Sequence, residues 1–244
     1  MKTHNFKGAI FDMDGVITQT AKVHAKAWKT MFDEFLKNQN GPTFTPFDIG
    51  EDYKQYIDGK PRLDGVRSFL ESRDIVIEEG QPSDFSPISI FGLGEKKNSI
   101  FLDLLKNEGA EAYPDTLDVV RLWNNKIKLA VVSASKNCEF ILESVGILDL
   151  FDVRVDGVYA AEKNLPGKPS PDIFLEASQL LNLDPSKCIL FEDARAGVEA
   201  GKMGNFGLVI GVARDGSPES LLNSGADFVV ENLYQIEQKI NSYV

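Results

Sequence analysis

The chain has 244 residues, of which 43% are hydrophobic and 26% charged, an ordinary composition for a globular protein with room for a sizeable core. Its formal net charge of -11 argues against nucleic acid as the main partner, while leaving room for a small phosphate ester held by a few local cations. No run approaches the roughly 18 apolar residues of a membrane span, and "MKTHNFKGAIFDMDG" lacks the apolar stretch of a secretory signal.

Several short β-branched or aromatic runs read as buried parallel strands. They are "AIF" at 9–11, "LAVVS" at 129–133, "CILFED" at 188–193, "GLVIGV" at 207–212 and "DFVV" at 227–230. Helical patterns separate them. The alternation predicts an α/β fold with a doubly wound, Rossmann-like parallel sheet, in which ligands bind beyond the carboxyl ends of the strands.

After the first strand the alternation breaks. "AKVHAKAWKTMFDEFL" (21–36) places His24, Trp28, Met31 and Phe35 on one helical stripe. "EKKNSIFLDLLKNEG" (95–109) carries Ile100, Phe101, Leu104 and Leu105, with Gly109 as its stop. Between them, "NGPTFTP", "DGKPR" and "QPSDFSP" read as loops. The expected organisation is an α/β core over 1–20 and 113–244, with a helical cap domain inserted at 21–112.

Charged and hydroxyl residues gather where strands end. Asp12, Asp14 and Gly15 follow the first strand, and Ser133 ends the second. Lys168 lies in "PGKPSPDIF", just before a helix with Ser170 expected as N-cap and Pro171 as N1. Glu192 and Asp193 end another strand. Each feature alone is compatible with turn or cap chemistry. Together they set four carboxylates, one lysine and one serine along one sheet edge. The "DMDG" run is no EF-hand: Gly15 in the sixth position would put Ile10 first and Ala21 twelfth, neither of them a suitable oxygen ligand. Cys138 and Cys188 match no metal spacing and read as free buried thiols, as expected of a reducing cytoplasm.

In this order the four features resemble the motifs of the haloacid dehalogenase superfamily: D-x-D-G, a strand-ending Ser or Thr, a Lys and an acidic pair. The stretches "FDMDGVITQT", "SASKN" and "GKPSPDIF" are closer still to the β-phosphoglucomutase-like subfamily, whose members carry a helical cap. That resemblance implies Mg²⁺-dependent phosphoryl transfer on a hexose phosphate through an aspartyl phosphate. Asp12 would be the nucleophile and Asp14 the general acid and base. Asp12, Asp14 (through its backbone carbonyl), Glu192 and Asp193 would hold the metal, and Ser133, Ala134 and Lys168 the phosphoryl group. A dehalogenase lacks the second Asp, so Asp14 speaks against halide displacement.

The same resemblance assigns substrate and cap roles to Thr20, His24, Gly59, Lys60, Arg62, Lys97, Ser135, Lys136 and Asn137. Two positions depart from the subfamily: Asp58 stands where a lysine precedes the glycine, and Gln19 where an acid is usual. The expected partner is therefore a small sugar phosphate. A phosphatase on the same scaffold is the alternative, and a non-catalytic sugar-phosphate sensor a remote one.

Overall fold

A computed structural model describes residues 6–82, 88–214 and 218–236. The chain divides into two compact units, Met1–Gln19 with Ala110–Val244 and Thr20–Gly109. The helical unit thus spans 20–109, where 21–112 was expected.

The first unit is built on a parallel six-stranded sheet. Its strands are β1 (Gly8–Asp12), β2 (Lys128–Val132), β3 (Val153–Val155), β4 (Cys188–Glu192), β5 (Leu208–Val212) and β6 (Phe228–Val230), in the order β3-β2-β1-β4-β5-β6. The first strand is flanked on both sides: Ile10 pairs with Ala130 of β2 and with Leu190 of β4. That order reverses direction at β1, which is where a doubly wound sheet opens a crevice beyond its strand ends. The edge strand β3 is absent from the sequence reading. Its three residues, with Arg154 in the middle, are too short and too polar to stand out.

Strand residues alternate between two buried faces. Ile10, Ala130, Val132 and Leu190 pack with Ile173, Phe174 and Ala177 of a helix at Asp172–Leu180, and with Val198 and Ala200 of a helix at Arg195–Met203. On the other face Phe11 stacks on Phe191, ring centroids 4.5 Å apart, with Trp123 of the helix Pro114–Trp123 at 6.4 Å from Phe11. Such a fully buried aromatic contributes roughly 1.5–3 kcal/mol by leaving water. This β-branched and aromatic interior explains why the strands could be read without alternation. Cys138 and Cys188 are free and buried.

The second unit is helical. It contains Thr20–Asn40, a π-helical segment Ile49–Ile57, Arg62–Ser72 and Ile90–Glu108. Trp28, Met31 and Phe35 of the expected stripe are buried and pack with Phe32, Phe47, Phe69 and Leu93. The loop signal "DGKPR" falls between Ile49–Ile57 and Arg62–Ser72, and the helix expected at 95–109 begins five residues earlier, at Ile90. The Ser89 hydroxyl caps it by accepting from the Gly92 N–H at 3.0 Å, while Gly92 and Gly94 in its first turns mask the signal. Gly109, at φ 79°, closes that helix as expected. Residues 83–87 of "QPSDFSP" lie outside the described residues. No helix among the described residues is long and apolar enough to cross a membrane.

Candidate active site

The first unit alone brings all four motifs to one sheet edge. Asp12 is the last residue of β1 and is buried. Its carboxylate accepts from the Lys168 ammonium, which also donates to Glu192 Oε2 at 2.8 Å. Lys168 is 3% exposed and Glu192 is fully buried, so neither charge is answered by water. The other Glu192 oxygen accepts from the Ala194 N–H at 3.0 Å. Glu192 is therefore held by an ammonium and a backbone amide as well as standing among the acids.

Burial pushes the Asp12 carboxyl well above the ordinary carboxylate range, and the Glu192 charge adds to that, while Lys168 opposes it. Burial also works against the charge on Lys168. The Asp12 and Glu192 carboxylates outweigh it and hold the lysine above its ordinary value. One ammonium thus serves two buried acids, with Asp193 beside them.

Asp14 stands apart from this cluster. Its Oδ2 accepts from the Ser133 hydroxyl at 3.3 Å, and Ser133 Oγ in turn accepts from the Ser135 N–H at 3.0 Å. Asn137 N–H donates to Ser135 Oγ at 3.2 Å, closing the turn that follows β2. Ser133, Ala134, Ser135, Lys136 and Asn137 form one connected turn, with Lys136 exposed. Gly157 backs it, donating to the Ser135 carbonyl at 3.1 Å; a Cβ at 157 would stand 2.6 Å from the Ala134 carbonyl oxygen.

The bend after β1 depends on Gly15. Its φ is 88°, and its N–H donates to the Thr18 carbonyl at 2.8 Å. A Cβ there would lie 1.7 Å from Asp193 Oδ2, so the backbone passes directly under that carboxylate. Before the helix at Asp172–Leu180 the cap differs from expectation. Pro171, not Ser170, takes the N-cap position, and the Ser170 hydroxyl donates to the Asp172 carboxylate instead of accepting from the backbone. Lys168 precedes a cis Pro169.

Three acids of the site suit a divalent cation. Asp12, Glu192 and Asp193 each offer a carboxylate oxygen, all within 4.8 Å of one another. An all-oxygen set with a surplus of negative charge fits a hard cation.

The helical unit holds the remaining candidates. Lys97 is buried, with its Nζ 2.5 Å from His24 Nδ1 and set over the rings of Trp28 and Phe101 at 5.1 and 4.7 Å. His24 stacks on Phe101 at 3.9 Å. Gly59 makes a turn at φ 73°. Lys60 donates to the Ser68 hydroxyl at 2.8 Å, and Arg62 pairs with Glu95. Thr20 opens the first helix and is buried. Gln19, in the first unit, reaches Glu111 at 3.4 Å.

Two glycines escaped the sequence reading: Gly157 behind the turn after β2, and Gly197, packed on the Glu192 side chain; each acts by having no side chain, which no spacing rule exposes.

Comparison with known proteins gives the same picture. The haloacid dehalogenase-like hydrolase family model matches residues 6–205. A β-phosphoglucomutase of Mycobacterium bovis is 42% identical over 94% of this chain and 91% of its own length. A phosphorylated carbohydrates phosphatase of Thermotoga maritima is 31% identical over 92% of this chain and 94% of its own. The crystal structure of a β-phosphoglucomutase from Clostridium difficile superposes with a TM-score of 0.76 at 29% identity, covering 98% of this chain and 97% of that one. The chain therefore belongs to the haloacid dehalogenase-like hydrolase family.

Proposed function

We propose that this protein is a Mg²⁺-dependent phosphotransferase that interconverts β-glucose 1-phosphate and glucose 6-phosphate through a phosphorylated Asp12. The observation that carries the reading is the division of labour between two acids two residues apart. Asp12 points into the cluster of Lys168 and Glu192, whereas Asp14 is turned to Ser133. The relatives named as β-phosphoglucomutases support the substrate.

The chemistry follows from those positions. An Asp12 carboxylate oxygen attacks phosphorus, and the bond from phosphorus to the sugar oxygen breaks. Asp14 donates its proton to that departing oxygen. In the return step Asp14 accepts the proton of the incoming hydroxyl as it attacks the aspartyl phosphate. Lys168, the Ser133 hydroxyl and the Ala134 N–H would bind the phosphoryl oxygens. Asp12, Glu192, Asp193 and the Asp14 carbonyl would hold Mg²⁺. When bound, the ion supplies positive charge against the acids and the phosphoryl oxygens. Thr20, His24, Gly59, Lys60, Arg62, Lys97, Ser135, Lys136 and Asn137 would recognise the sugar and its second phosphate.

One observation favours the second reading, a sugar-phosphate phosphatase. Lys60 is engaged with Ser68 and Arg62 with Glu95, so neither cation is held ready for a second phosphate. A Thermotoga maritima relative carries a phosphatase name. Incubation with Mg²⁺ and a panel of hexose phosphates, following isomerisation and inorganic phosphate together, separates the two. Phosphate release without isomerisation rejects the mutase.

A further inference from the structure

Arg214 stands two residues past β5, with its side chain 9% exposed. Its Nη1 donates to Asp115 Oδ2 at 2.6 Å and to the Glu231 carbonyl at 3.4 Å. Its Nη2 donates to Thr116 Oγ1 at 2.7 Å and to the Val16 carbonyl at 3.2 Å. The guanidinium lies 3.9 Å over the Tyr113 ring. Asp115 is fixed in turn by the Leu233 N–H at 2.6 Å, and the Thr116 hydroxyl donates to Val16 O at 2.8 Å. A buried guanidinium with so many partners has little freedom to move.

The Val16 carbonyl is where this hub meets the catalytic loop. Val16 is two residues beyond Asp14, in a loop closed by Gly15 N–H to Thr18 O at 2.8 Å and by Thr18 N–H to Met13 O at 2.9 Å. The Thr18 hydroxyl also donates to Met13 O, at 3.3 Å. A loop tied this tightly moves as one piece. Arg214 and Thr116 together occupy the carbonyl at its tip.

We infer that Arg214, with Thr116, is a positioning residue for Asp14: it locks the loop so that the Asp14 carboxyl stands where the departing oxygen needs a proton. This rests on the reading of Asp14 as proton donor. A purely structural anchor would slow every reaction of Asp12 alike. A device that aims Asp14 matters only when the leaving group must be protonated.

Two phosphoryl donors distinguish these roles in single-turnover, rapid-quench measurements of Asp12 phosphorylation with saturating Mg²⁺. A hexose phosphate must have its sugar oxygen protonated as it leaves, whereas the carboxylate of acetyl phosphate leaves without a proton. Arg214→Met is expected to slow transfer from the hexose phosphate by about 10-fold or more and from acetyl phosphate by less than about 3-fold. Arg214→Lys should recover part of the loss. Thr116→Val, which removes one donor from Val16 and leaves the Arg214–Asp115 pair, should show the same selectivity on a smaller scale and carries the test if Arg214→Met does not fold. Equal losses with both donors overturn the inference. Asp14→Asn, run in parallel, identifies which premise fails. If it selectively slows the hexose phosphate while the Arg214 and Thr116 variants do not, only the positioning role falls. If it slows both donors alike, Asp14 is not the proton donor and the inference falls with it.

Discussion

Gly197 lies against the Glu192 carboxyl so closely that a Cβ at 197 would stand 2.1 Å from Glu192 Cδ. The helix that follows β4 thus packs its first turn directly on the acid that shares Lys168 with Asp12. Gly197→Ala gains about 1 kcal/mol of helix propensity. Overpacking against a buried charge costs about 1–3 kcal/mol, so the net change is expected to be destabilising. The more diagnostic effect is functional. Turnover should fall about 10-fold or more through displacement of Glu192, with weaker Mg²⁺ binding by calorimetry. Unchanged turnover and metal affinity would mean that Glu192 tolerates the shift.

Gly15→Ala tests the opposite side of the acidic cluster. The new methyl would collide with Asp193, and an L-residue at φ 88° adds roughly 1–2 kcal/mol of backbone strain. We expect activity to drop about 100-fold or more, and Mg²⁺ affinity to fall with it. A metal titration of the folded variant checks this independently of turnover.

Asp12→Asn should abolish turnover, because an amide cannot form the aspartyl phosphate. Undiminished phosphate release from this variant would sink the mechanism.

Lys168→Met removes the one ammonium shared by Asp12 and Glu192. Two buried carboxylates are left without it, at a cost of about 3–5 kcal/mol. Urea unfolding with and without Mg²⁺ measures that loss. Added Mg²⁺ should restore more stability to the variant than it adds to the wild type, since a cation among these acids replaces part of the missing charge. Equal Mg²⁺ effects on the two proteins would place the metal elsewhere.

The thiols give a pH prediction. Burial pushes Cys188 up to about 12 and holds Cys138 well above the ordinary thiol value. In the unfolded chain both ionise near 8.5. Above that pH the unfolded state binds fewer protons than the folded one, so stability falls as pH rises. The slope is up to about 1.4 kcal/mol per pH unit per thiol. Urea titrations between pH 8.5 and 9.5 should show it, and the double variant Cys138→Ala, Cys188→Ala should flatten it. Iodoacetamide at pH 8 should leave both thiols unmodified until the protein is unfolded, as read by mass spectrometry.

The sheet was legible because its central strands are unbroken apolar runs that stop at Asp12, Ser133 and Glu192. Those chemistry-bearing residues also stood out, since a carboxylate or hydroxyl at the end of a buried strand contrasts with what precedes it. The edge strand Val153–Val155 did not, because three residues around an arginine carry no such contrast. In the helical unit, the glycines in the first turns of Ile90–Glu108 hid its start, while the turn residues of "DGKPR" stand where the chain turns between Ile49–Ile57 and Arg62–Ser72. Gly197 and Arg214 were invisible for another reason. Their effects depend on which distant residue comes to rest beside them, and no local pattern encodes that.

The place of β1 in the sheet has a consequence for synthesis of the chain. Phe11 pairs with Val131 on one side and Phe191 on the other, so the strand that ends in Asp12 leaves the ribosome long before either neighbour exists. It gains its first partner when β2 emerges and its second only with β4, the strand that brings Glu192. Such distant pairings are closed late and slowly. A nascent chain halted before residue 188 would therefore lack both the acidic pair and the second flank of Asp12's own strand, and that apolar strand would remain exposed to aggregation or to chaperone capture.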